Sequence, residues 1–153
     1  MSLSFDVIKR LQGKTLATAE SCTGGMIGAA LTDIPGSSKV FKGGIISYTD
    51  EIKQNLLGVD GEVMKNNGAV SAPVARAMAE GARNALKSEI AVSVTGLAGP
   101  DGDEFGNFVG TVFIGYADEK TSFAVKFRFF GSREEVRDQA TEKALQIILE
   151  MNP

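Results

Sequence analysis

Small nucleophilic side chains and glycines meet in the run Thr15 to Gly25, TLATAESCTGG. Strand formers give way to Ser21-Cys22-Thr23, then Gly24 and Gly25, then an Ala/Ile/Leu run with helical character. A strand-to-helix junction offers unpaired backbone N–H groups and a partial positive charge, which stabilise an oxyanion or a phosphate. Glycines allow a ligand close to the backbone because they carry no Cβ. Thr23, Gly24 and Gly25 are therefore candidate substrate-binding positions. The run is neither a P-loop, lacking Gly-Lys-Ser/Thr, nor a Gly-x-Ser-x-Gly elbow.

The chain has no histidine. Ser-His-Asp, Cys-His and His-zinc chemistry are excluded for this chain acting alone, and a general base must be Lys, Asp, Glu or Tyr. Ser21 is the candidate nucleophile; its bland alternative is a helix cap, a role Thr23 could also fill. Cys22 is the rival nucleophile, but it alternates away from Ser21, and buried free cysteines are usually inert. Lys53 is the best base. It falls in the first turn of a helix, where the macrodipole and partial burial both lower a lysine pKa, unless it is an ordinary solvated lysine.

Tyr48, five residues earlier, either relays a proton and holds substrate or packs at a strand end. Thr95 and Gly96 open TGLAGP, a pocket wall or a turn needing glycine dihedrals. Arg133 and Arg137 lie one turn apart at a helix start, against the dipole preference, which fits a recruited anion as well as a solvated, salt-bridged face. Asp101, Asp103 and Glu104 fit no EF-hand spacing, so no metal site is read there.

These residues need a frame to converge. With 153 residues, 43% hydrophobic and 23% charged, the sequence fits one compact domain, 1–153. The net charge of -3, without a basic stripe, argues against nucleic acid. One cysteine suits a reducing cytoplasm. No apolar run reaches the roughly 20 residues that span a bilayer. The pattern predicts helices over 6–11, 24–33, 50–57, 60–66, 74–87 and 133–151. Strands are expected over 15–20, 41–48, 90–95, 111–116 and 122–129, with a hairpin joining the last two. Gly43 and Gly44 inside the second strand signal a bulge or a close backbone approach. Alternating strands and helices imply an α/β fold, a three-layer α/β/α sandwich on a mixed, mainly parallel sheet of about five strands. Its first three strands end at Ser21, Tyr48 and Thr95, and ligands in such folds sit beyond the carboxyl ends of strands.

AESCTGG at 19–25, PGSS at 35–38, GGIISYTDEIKQNLLGV at 43–59, GAVS at 68–71, SVTGLAGP at 93–100, VGTVF at 109–113 and GSREEVRDQAT at 131–141 together resemble the CinA C-terminal domain family. The resemblance implies a mixed-sheet α/β/α fold and a cofactor-free, metal-independent amidohydrolase. Its members include nicotinamide mononucleotide deamidases of pyridine-nucleotide salvage, which form nicotinic acid mononucleotide and ammonia. By motif, Ser21 matches the nucleophile, Tyr48 and Lys53 its partners, and Thr95 a pocket position; either Arg133 or Arg137 matches a phosphate contact. A small pyridine-nucleotide substrate, a homo-oligomer, a cytoplasmic location and no membrane or nucleic-acid partner complete the expectation. The alternative is a non-catalytic nucleotide-binding or regulatory module of the same fold. Larger family members carry an N-terminal molybdopterin-binding-like domain, whose activity is not expected of 1–153. The loop DGDEFGNF at 101–108 also departs from relatives, which usually run glycine-rich to Lys-Pro here.

Overall fold

The computed structural model describes residues 2–153. Five strands, β1 (Leu16–Glu20), β2 (Phe41–Ile46), β3 (Ile90–Gly96), β4 (Thr111–Ala117) and β5 (Ser122–Arg128), form one sheet in the order β2-β1-β3-β4-β5. β1 pairs in parallel with both β2 and β3, and β3–β4 and β4–β5 are antiparallel. Only β4 runs against the rest, so the sheet is mixed with four strands in one direction. Helices α1 (Leu3–Arg10), α2 (Met26–Thr32) and α6 (Arg133–Met151) pack on one face. Helices α3 (Asp50–Leu57), α4 (Gly61–Asn67) and α5 (Ala72–Leu86) cover the other. The expected sandwich is the observed one. Among the described residues no helix is long and apolar enough to cross a membrane.

Strand order places the site. The chain leaves β1 towards β2 through α2, then returns past β1 to β3 through α3–α5. Opposite directions of travel put the two crossovers on opposite faces, and a crevice opens at the carboxyl end of β1 and β3. Ser21 follows β1 directly.

The two faces are packed differently. Leu16, Ile90, Val92, Val94, Val112 and Ile114 meet α1, α2 and α6. Ala17, Ala19 and Ala91 meet α5, and such small side chains let a helix backbone approach closely. A Cβ on Gly115 would overlap the Ala75 carbonyl oxygen. Both readings of the β2 glycines hold: Lys42 is skipped where Leu16 pairs with Phe41 and Ala17 with Gly43, and a Cβ on Gly44 would overlap Thr18 Oγ1.

Among the boundaries that differ from the sequence pattern, three have a local cause. α1 begins at Leu3 because the Ser2 hydroxyl accepts the Phe5 N–H. β2 stops at Ile46, and the carbonyls of Ser47 and Tyr48 accept from Lys53 instead. α2 begins at Met26 because Gly24 and Gly25 have φ of 57° and 108°, values a right-handed helix cannot contain.

Gly81, inside α5, allows α3 to sit where it does, since a Cβ there would overlap the Leu57 carbonyl oxygen. An exposed Gly→Ala in a helix gains about 1 kcal/mol. Gly81→Ala is expected to reverse that sign and cost about 1–3 kcal/mol through overpacking. Thermal unfolding checks this, and a raised Tm would contradict the close contact.

Candidate active site

Three strand tips and two helices enclose a hollow of about 350 Å³, within the usual range for small-molecule sites. Its wall carries Ser21, Cys22, Tyr48, Lys53, Thr95, Gly96 and Arg133. These are residues the sequence singled out, brought together from β1, β2, β3, α3 and α6. Asp50, Leu97, Pro100 and Asp101 also line it.

Its centre is the pair Ser21–Lys53. Lys53 Nζ lies 3.1 Å from Ser21 Oγ, 2.8 Å from the Ser47 carbonyl oxygen and 3.4 Å from that of Tyr48. Lys53 is 1% exposed and Ser21 7%. Among the described residues the only ion pair within 4.0 Å is Arg76–Glu80, so no carboxylate neutralises Lys53 at contact. Burial holds its pKa below the ordinary 10.5, against Asp50 and Cys22, which pull it up. Nζ donates to all three oxygens; burial is what favours loss of its proton, and the lone pair so freed is within reach of the Ser21 hydroxyl. α3 is fixed by its Thr49 cap, which accepts the Ile52 N–H.

Around the pair, Thr95 is buried and its hydroxyl donates to the Ala69 carbonyl at 2.9 Å. Tyr48 is exposed rather than packed at the strand end. Its hydroxyl accepts from Arg133 at 3.3 Å, while the same guanidinium donates to the Gly99 carbonyl at 2.6 Å. Arg133 thus ties the tips of β2 and β3 across the hollow. Cys22 is buried, and desolvation pushes its thiol up to about 11, which keeps it protonated near neutral pH.

Thr23, Gly24, Gly25 and Arg137 are not on the hollow's wall. Thr23 is fully buried, and its hydroxyl donates to Glu20. Arg137 donates to the carbonyls of Cys22 at 2.9 Å and Thr23 at 3.4 Å. The amides of α2 are not all free, as the junction alone implies. Gly24 N–H goes to the Ser21 carbonyl, Met26 N–H to that of Thr23, and Ile27 and Gly28 N–H to the Glu20 carboxylate. Among the described residues, the amides of Thr23 and Gly25 have no protein acceptor. Asp103 is spent on its own loop, accepting from the Phe105 and Asn107 amides and the Asn107 side chain, as a turn would require.

Sequence reasoning missed Glu20. The available signal is that Gly25, at the head of α2, has no side chain with which to cap it. Some other acceptor must satisfy those amides.

A family model described as the CinA C-terminal domain matches residues 2–152. CinA-like proteins of Endomicrobium trichonymphae and Sulfurihydrogenibium sp. (strain YO3AOP1) are 47% and 49% identical over 88% of this chain. The match covers 32% and 34% of their lengths, so the chain spans about a third of these relatives. Among solved structures, a competence-damaged protein (CinA) superfamily protein from Escherichia coli superposes with a TM-score of 0.95 at 32% identity, covering 97% of this chain and 88% of that one. The competence/damage inducible protein CihA from Agrobacterium tumefaciens gives 0.95 at 36% identity, covering 99% and 94%. A fold, an order of motifs and these likenesses agree: the chain belongs to the CinA C-terminal domain family.

Proposed function

We propose that the chain is an amidohydrolase that converts nicotinamide mononucleotide and water to nicotinic acid mononucleotide and ammonia. The observation that supports it best is the contact between Ser21 Oγ and a buried lysine amine with no carboxylate partner. On this reading the Ser21 hydroxyl gives its proton to neutral Lys53 as Oγ attacks the carboxamide carbon. The amide of Cys22, on the wall and without a protein acceptor among the described residues, receives the oxyanion, a good donor contributing about 3 kcal/mol in other enzymes. The Lys53 ammonium then protonates the amide nitrogen, the C–N bond breaks and ammonia leaves. Water, deprotonated by Lys53, releases the acyl group, and the proton returns to Ser21.

The pyridinium charge makes this carbonyl more electrophilic than an ordinary amide, which suits a serine–lysine pair. Arg133, on the wall, takes the ribose phosphate in place of its carbonyl and tyrosine partners, so binding energy is gained away from the reacting bond. Tyr48 and Thr95 hold the substrate. No step in this scheme calls for a metal or cofactor.

Ammonia release from nicotinamide mononucleotide tests the reading. Ser21→Ala is expected to lose at least about 10³-fold in kcat and Lys53→Ala about 10²–10⁴-fold, while Cys22→Ser stays active. Binding without release by the wild type would instead make the chain a nucleotide-binding module. Loss in Cys22→Ser with activity kept in Ser21→Ala would move the nucleophile to Cys22.

The pH dependence follows from the depressed Lys53 pKa. The base must be unprotonated, so kcat/KM rises with pH and reaches its plateau below the ordinary lysine value of 10.5. Asp50 raises the Lys53 pKa, so Asp50→Asn is expected to move the rising limb to lower pH. A flat profile, or a limb moving upward in that variant, would contradict the lysine base.

Stability carries the same signature with its own sign. The unfolded chain binds the Lys53 proton up to pH 10.5, whereas the folded chain sheds it at lower pH. Burying this amine therefore costs stability, fully below the folded pKa and progressively less as pH rises to 10.5. Lys53→Met is expected to raise Tm, more at pH 6 than at pH 10. Thermal scans at both values check it, and a gain that grows with pH would contradict it.

A further inference from the structure

We propose that Glu20 and Arg137 are paired positioning residues for Ser21, one taking the donors and the other the acceptors of the segment that carries it. This rests on Ser21 being the nucleophile, as proposed above. Glu20 is 2% exposed. Its carboxylate accepts from Thr23 Oγ1 at 2.8 Å, Ile27 N–H at 2.9 Å, Gly28 N–H at 3.0 Å and Thr18 Oγ1 at 3.3 Å. No cation lies within 4.0 Å of it among the described residues. Its partners are backbone amides and hydroxyls, all of them on β1, the Ser21–Gly25 turn or α2.

Arg137, on α6, meets the same turn by its carbonyls: Nε donates to the Cys22 oxygen and a terminal nitrogen to that of Thr23. A carboxylate can only accept and a guanidinium can only donate. Glu20 therefore holds the Thr23 hydroxyl and the first amides of α2, and Arg137 the carbonyls of Cys22 and Thr23, so the two grip the turn from opposite sides. Backbone bonds hold the turn at its ends, Ser21 N–H to the Val94 carbonyl, Gly24 N–H to that of Ser21 and Met26 N–H to that of Thr23, while Gly24 and Gly25 are in left-handed conformations and the side chains of Glu20 and Arg137 supply the rest. Ser21 Oγ must nevertheless stay within 3.1 Å of an amine presented from α3. Fixing the turn from the α2 side and the α6 side at once holds the hydroxyl there. Arg137 acts on this reading through the turn, and Arg133 is left as the arginine that meets the substrate anion.

The test uses the full chain and two readouts on Glu20→Gln, Arg137→Gln, their double variant and Arg137→Lys. The first is kcat and KM for nicotinamide mononucleotide and for its riboside, which lacks the phosphate. The second is the rate at which a fluorophosphonate labels Ser21, followed by mass spectrometry; Oγ bonds to phosphorus, fluoride leaves and the hydroxyl proton passes to Lys53. Each Gln variant is expected to lose about 10²-fold in kcat and in labelling rate, as for a displacement near 1 Å, with KM little changed. Arg137→Lys should recover part of the loss, since it keeps a donor but not the planar fork. The double variant should fall little below either single one, because a turn already freed has less to lose.

Unchanged labelling in folded variants would overturn the proposal, as would losses that simply add. A defect in Arg137→Gln confined to KM for the phosphorylated substrate would make Arg137 a phosphate contact instead. Should Glu20→Gln fail to fold, Arg137→Gln, on the more exposed side, decides alone. Wild type that labels at Ser21 yet releases no ammonia overturns the substrate assignment and leaves this proposal to the labelling rates. Wild type that does neither overturns both.

Discussion

A lysine amine removed from water with no carboxylate at contact is the constraint on which the rest depends. Desolvation penalises the ammonium form, and the groups around Lys53 Nζ do not repay it with opposite charge. Its three contacts, a hydroxyl and two carbonyls, are uncharged acceptors. Asp50 pulls the pKa the other way, but from an exposed position at the head of α3, where water screens it. On the proposed reading, the Ser21–Lys53 pair is the part of the hollow where stability is given up for chemistry.

The fold supplies what this arrangement needs. β1 sits between two parallel neighbours, so its carboxyl end lies where the crossovers part. Small side chains under α5 draw that layer in, and Gly81 lets α3 lie against α5 with Lys53 aimed back at the sheet. Arg133 and Arg137 share one helix and act at different depths. Arg133 spans the mouth through Tyr48 and Gly99, and Arg137 reaches beneath it to the turn after β1.

Much of this was legible in the residues. Alternation of strands and helices gave the layers, α6 starts at Arg133 as its pattern predicts, behind a Ser132 capping box, and the strand ends pointed to Ser21, Tyr48 and Thr95. A chain without histidine leaves lysine among the few bases a serine nucleophile can use. What the residues hid was set by tertiary partners. Thr23, Gly24 and Gly25 look like an open cradle, yet they lie off the hollow's wall and the first amides of α2 go to the Glu20 carboxylate; Glu20 reads in sequence as the last residue of an ordinary strand. Arg133 and Arg137 are equivalent on a helical wheel and are separated only by what each faces. The expected start of α2 at Gly24 fails for a local reason, the positive φ of two glycines.

The most direct measurement is an NMR titration of the Lys53 side chain, following its Cε and Nζ resonances with pH in the free protein. The account predicts a midpoint below the ordinary 10.5, with a neutral amine above it whose resonances respond to Ser21→Ala. A midpoint at or above 10.5 would leave Lys53 a structural cation and remove the proposed base.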